Sequence, residues 1–189
     1  MLDAYRRAQD GFDAVLDQIP AGAWDKQSEC ELWTVRDVVG HVVWGQDLVR
    51  HWATGEPFTS TEGAPGVPHP APVAGPDPVI RWRAARAAAD ATLTPESITR
   101  TRETGILGTI PLTGFLPALV ADFLAHSWDI GNACGLDVRL APDLLPDSHE
   151  WVSANVIHRS PTGIGPELTP PDDADEQTRW LAFVGRKAW

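Results

Sequence analysis

Three side chains in this sequence have the types and spacing to hold a metal ion. Asp122 and His126 stand four residues apart in a helical stretch, so they lie on one helix face with Cβ atoms about 5–6 Å apart. His41 stands 81 residues earlier, in a second helical stretch, beside a stripe of valines. Taken singly, each signal has an ordinary explanation. An Asp–His pair one turn apart also reads as a solvated ion pair, and a histidine bordering an apolar face also reads as a satisfied core residue. Taken together, two imidazoles and one carboxylate from facing helices form a common three-donor set. Such a set leaves coordination positions open on Zn²⁺, and on Fe²⁺ in other folds. His51 near a helix end, His69 in a proline-rich loop, and the late His149 and His158 fit no comparable pattern.

Other residues carry two readings each. Asp37 and Asp129 are spaced to orient His41 and His126 by hydrogen bonding, although Asp37 reads equally as a helix cap. Trp33 and Trp128 could wall a substrate pocket or pack in the core. Cys30 could approach the centre from the preceding loop or act as a small buried hydrophobe. Arg36 could meet an anionic substrate or stay solvated.

The elements that must position these groups are helical. Apolar residues recur at spacings of three and four over 2–19, where Pro20 ends the run, and over 34–52, where Thr34 and Asp37 resemble a capping box. Helical patterns follow at 78–93 and 114–135. Pro117 falls in the expected first turn of the latter, and Gly135 sits at its C-cap. Shorter helices are expected at 143–157 and 174–184. Residues 55–78 hold seven prolines and four glycines, a loop long enough to cover a site. Residues 100–113 are left irregular, and 160–173 are rich in Pro, Gly and Asp. Four long helices without a convincing strand pattern predict an all-α, up-and-down four-helix bundle with a short C-terminal helical extension, in one domain spanning 1–189.

Composition narrows the function. The 189 residues carry a net charge of −11, with 15 basic side chains against 26 acidic ones, which argues against nucleic acid and anionic membranes as partners. Cys30 and Cys134 form no CxxC pair, and no stretch reads as a signal peptide or membrane span. A cytoplasmic protein with reduced thiols is expected. Abundant Ala, Gly, Pro, Arg and Asp beside scarce Lys is the protein-level trace of a high-GC genome.

Two segments carry a family resemblance. Cys30-Glu-Leu-Trp33-Thr34-Val35-Arg36-Asp37 leading to His41, followed by Asp122-x-x-x-His126-Ser-Trp128-Asp129, resembles the DinB-like superfamily. Within it the closest likeness is to the mycothiol-dependent maleylpyruvate isomerase N-terminal-domain group. The ending Arg179-Trp-Leu-Ala-Phe-Val-Gly185-Arg186 is similar to that of short actinobacterial metal-binding members. The resemblance implies a four-helix bundle holding a divalent metal, usually zinc, through His41, Asp122 and His126. It also implies use of a low-molecular-weight thiol such as mycothiol.

The sequence departs from the isomerase in two ways. It ends at Trp189 and is expected to do without the isomerase's further C-terminal domain, and it has Asp122 where the isomerase has a longer Glu. Both departures point away from maleylpyruvate as substrate. The expected function is a metal-dependent, thiol-dependent S-transferase or isomerase acting on a small electrophile, as a monomer or homodimer. Two alternatives stay open: a thiol-independent Lewis-acid enzyme of hydrolase, lyase or cyclase type, and a non-catalytic metal-binding or stress-response protein.

Overall fold

The computed structural model describes residues 1–105, 107–156, 159 and 163–189. Among them are six α-helices and one two-stranded sheet: α1 (Leu2–Leu16), α2 (Val35–Thr54), α3 (Pro78–Asp90), β1 (Thr101–Glu103), β2 (Thr109–Pro111), α4 (Leu112–Ala133), α5 (Leu145–Asn155) and α6 (Glu176–Phe183). The protein is therefore mostly helical. His158 and residues 160–162, which entered the sequence reading, lie outside the described residues, as does the end of the helix expected to reach 157.

Local chemistry sets the helix ends. α1 stops three residues earlier than its pattern, because the N–H groups of Gln18 and Ile19 turn to carbonyls three residues back as Pro20 approaches. At the start of α2, Thr34 Oγ1 accepts the Asp37 N–H and the Asp37 carboxylate accepts the Thr34 N–H, a complete capping box. Gly55, at φ +79°, closes the other end. Asp77 caps α3, and Pro78 occupies its first position, where the missing N–H has no cost. α4 begins at Leu112, two residues before expectation. Pro117 consequently lies in the second turn, and the Thr113 carbonyl loses the partner that an ordinary residue would offer.

α1 lies along α4, α2 lies along α3 and also meets α4, and α5 rests on α4 and α6. An aromatic cluster joins three of these helices. Phe12 of α1 meets Trp82 of α3 edge-on at 5.0 Å between ring centroids, and Phe123 of α4 lies 5.9 and 5.6 Å from the two.

Residues 101–103 and 109–111, read as irregular and strand-free from sequence, pair antiparallel, Thr101 with Pro111 and Glu103 with Thr109. Gly105 and Gly108, both at positive φ, lie between them. Three-residue strands are too short to display a period of two, which is why the pattern did not register. No described helix is long and apolar enough to cross a membrane.

Candidate metal centre

α2 and α4 bring His41, Asp122 and His126 together. Asp122 Oδ1 lies 3.4 Å from His41 Nε2 and 3.3 Å from His126 Nε2. The donor atoms of all three lie within 4.8 Å of one another, close enough to share an ion. The imidazole rings meet at 79°, with centroids 5.2 Å apart.

Each ring is fixed by its other nitrogen. His41 Nδ1 lies 2.7 Å from the Gly63 carbonyl oxygen, which can only accept, so Nδ1 carries a proton and Nε2 is the nitrogen turned toward Asp122. His126 Nδ1 donates to Asp129 Oδ2 at 2.9 Å. Asp129 is fully buried and is held in turn by Arg186, whose Nε and one terminal nitrogen reach its two oxygens at 3.1 and 3.0 Å. The Cys30 thiol, 3.2 Å from Asp129 Oδ2, completes this chain.

The electrostatics follow from these contacts. Burial pushes the Asp122 carboxyl up, but His126 and His41 outweigh it and hold it well below the usual carboxylate range. Asp129 is likewise lifted by burial and lowered further by Arg186 and His126. For His126, burial disfavours the charged ring, yet Asp122 and Cys30 more than offset this and push it up. Burial and the Asp129 carboxylate push the Cys30 thiol up, so it is a proton donor here. Cys30, His126 and Asp129 also stand close enough to share an ion. Their facing atoms, however, are already hydrogen-bonded to one another.

The donors open onto a cavity of about 450 Å³ lined mainly by apolar side chains of α2, α4 and α5. The proline-rich loop closes one side. Its Gly63 carbonyl holds His41, its Val67 carbonyl accepts the Trp33 indole N–H at 2.7 Å, and its Ser60 carbonyl accepts that of Trp44 at 2.9 Å.

The residues expected beside the donors divide. Asp129 reaches His126. Trp33 is buried with its ring 4.9 Å from that of His41, although it is not part of the cavity lining. Asp37 directs its carboxylate to Thr34 and to the Ala71 N–H at 2.8 Å, so it caps α2 and anchors the loop rather than touching His41. Arg36 points to the Gly75 carbonyl and the Trp24 ring. It precedes His41 by five residues, which turns it well away around the helix. Trp128 lines a separate groove beside Asn132 and Trp189, because two residues of helix carry it to the far side from His126.

Arg186 was missed as a site residue. Gly185, at φ +87°, packs so closely on Gly165 that a Cβ would lie 2.6 Å from the Gly165 Cα, and this turn directs Arg186 inward. The Gly185-Arg186 pair after an apolar helix was the available signal.

Two curated relatives, each described as an uncharacterized protein, come from two strains of Mycobacterium tuberculosis. Each is 31% identical over 198 residues, covering 98% of this chain and 97% of its own. No solved structure matches the chain. The mycothiol maleylpyruvate isomerase N-terminal domain matches residues 5–131, a span that holds His41, Asp122, His126 and Asp129. On that match, which takes in most of the chain, this protein belongs to the mycothiol maleylpyruvate isomerase N-terminal domain family.

Proposed function

We propose that this protein is a metal-dependent enzyme that activates a low-molecular-weight thiol, mycothiol, in an S-transfer or isomerisation reaction of a small electrophile. One observation carries the reading: the two imidazole Nε2 atoms converge on Asp122 Oδ1 at 3.4 and 3.3 Å. Donors about 2.1 Å from a tetrahedral ion lie about 3.4 Å from one another. Direct N–H···O hydrogen bonds are shorter, roughly 2.7–3.2 Å. The separations therefore suit ligands of a shared ion better than a hydrogen-bonded triad. Family membership supports the same reading.

His41, Asp122 and His126 would hold the ion and leave a further position open. A divalent ion there, zinc foremost, would supply the Lewis acidity that brings a thiol to its nucleophilic thiolate near neutral pH. The chain's own groups do the rest. Gly63 and Asp129 keep both Nδ1 protons in place, so that with an ion bound both Nε2 lone pairs would face it. Asp122 contributes a compensating negative charge. The apolar walls surround the floor of the cavity with side chains of low polarity.

We further infer that α1–α4 form the up-and-down bundle of DinB-like proteins, within a single domain spanning 1–189. The pairing of α1 with α4 and of α2 with both α3 and α4 supports this.

The test is cobalt substitution followed by titration with mycothiol. A sulfur-to-metal charge-transfer band saturating at one thiol per chain is expected. The His41→Ala/His126→Ala variant should lose most bound metal by elemental analysis while keeping its helical circular-dichroism spectrum. Full metal occupancy in that variant would remove the ligand assignment. No band beside a thiol-free turnover would favour Lewis-acid chemistry on water or a carbonyl. No band and no turnover would favour a binding protein.

A further inference from the structure

The cavity above the three donors is poor in anything that could receive an anion. Its walls are built by Leu48, Phe115, Leu119, Trp151 and Val152. Among the described lining residues, Arg186 is the one side chain with a permanent positive charge, and its charge and its donors are already engaged. A guanidinium has five N–H groups. Arg186 directs Nε to Asp129 Oδ1 and one terminal nitrogen to Asp129 Oδ2 and, at 3.7 Å, to Cys30 Sγ. Its other terminal nitrogen reaches the Gly163 and Val184 carbonyls at 2.6 and 2.8 Å. All five are accounted for, and the charge is matched by a fully buried carboxylate.

Several neutral polar groups of the lining are occupied in a similar way. Asn155 donates to the Trp151 carbonyl at 2.8 Å. Thr104 donates to the Gly108 carbonyl and accepts the Leu107 N–H. At the floor, a divalent ion would be balanced by the Asp122 carboxylate and a bound thiolate, leaving no net positive charge for a second anion. The whole chain, at −11, repels anions as well.

We infer that this cavity admits an uncharged, predominantly apolar co-substrate and rejects anionic ones, dicarboxylates included. The inference rests on the proposed function in taking the cavity as the substrate site. Its physical ground is separate: a carboxylate entering the cavity would lose its water and find, among the described lining residues, neither a free cation nor a row of N–H donors in return. An apolar molecule gains from burial against the same walls. The volume of about 450 Å³ suits a ligand of up to about three rings.

A matched pair of fluorescent probes tests this directly. N-phenyl-1-naphthylamine is neutral, and its 8-sulfonate has the same skeleton with one added anionic group. Both are titrated into the full-length protein in chelator, so that no ion leaves uncompensated positive charge at the floor. The neutral probe is expected to bind at least about tenfold more tightly than the sulfonate, and millimolar maleate should not displace it. Ala118→Trp, which fills the cavity from α4, should weaken the neutral probe at least about tenfold. Leu48→Lys, which sets a free cation in the wall, should shift the preference toward the sulfonate.

Equal or tighter binding of the sulfonate to the unaltered protein would overturn the inference. So would displacement by maleate, or neutral-probe binding that neither variant changes. The titration involves no thiol and no turnover. Its failure would leave the metal–thiol reading standing, and a missing thiolate band would leave the probe result standing.

Discussion

Replacing Arg186 by methionine severs the last segment of the chain from the candidate centre. The guanidinium and the Asp129 carboxylate are both buried and meet through two hydrogen bonds of 3.1 and 3.0 Å. Methionine retains much of the apolar stem but leaves Asp129 a buried carboxylate facing only His126 and Cys30 among its described side-chain partners. Removing one member of a buried pair costs about 3–5 kcal/mol. In a chain of this length each kcal/mol moves Tm by about 2–4 °C, so Arg186→Met is expected to melt about 10 °C lower. Asp129→Asn in the same background removes the stranded charge while its side-chain oxygen still accepts from His126. The double variant should therefore regain about 1–2 kcal/mol relative to Arg186→Met alone. Urea unfolding of the four proteins in chelator, followed by circular dichroism, measures the coupling. If the two substitutions add to within about 0.5 kcal/mol, the pair is not coupled and the argument fails.

Two further substitutions probe the scaffold. A Cβ at position 40 would lie 2.1 Å from the Pro70 carbonyl oxygen, so Gly40→Ala must push the proline-rich loop away from α2. It should cost about 1–3 kcal/mol in urea unfolding and speed cleavage by thermolysin within 55–78; an unchanged midpoint and cleavage rate would count against that packing. Asp13 accepts from Trp82 and Arg83, and although burial lifts its carboxyl, Arg83 outweighs this and holds it low. With its folded value below the unfolded value of about 3.9, Asp13 contributes fully above that pH, and its contribution fades as pH falls through the folded value. The stability gap between the parent and Asp13→Asn should accordingly narrow below about pH 4 in acid titrations of urea midpoints, whereas a gap independent of pH would refute the assignment.

The parts of the molecule legible in the sequence were those governed by local rules. Thr34 and Asp37 announced the start of α2 within four residues, and the valine and leucine spacings of α2 and α4 identified the faces that carry His41, Asp122 and His126. The i, i+4 rule was enough to set Asp122 beside His126. Less legible was anything set by how distant segments meet. Trp128 and Arg36 lie near the donors in sequence but are rotated around their helices toward other surroundings. Asp37 had two local readings, and the Ala71 N–H, 34 residues away, shows where its second oxygen goes. Arg186 resembles a solvated tail residue until Gly185 turns against Gly165. The strand pair at 101–103 and 109–111 was hidden because its strands are shorter than the repeat by which strands are recognised.

The loop that holds His41, Trp33 and Trp44 does so through the carbonyls of Gly63, Val67 and Ser60, with no side chain of its own in those three bonds. Every residue type carries that oxygen, so the service is blind to sequence. Mutation can rewrite most of the loop without altering what it presents, provided that its length and path survive. The exceptions are position 63, where a Cβ would fall 2.2 Å from that of Trp44, and positions 66 and 75, held at φ +83° and +66°. Evolutionary drift in this segment is thus channelled: its outer surface is open to change toward new neighbours, while a few glycines keep the inner edge in register with the imidazole.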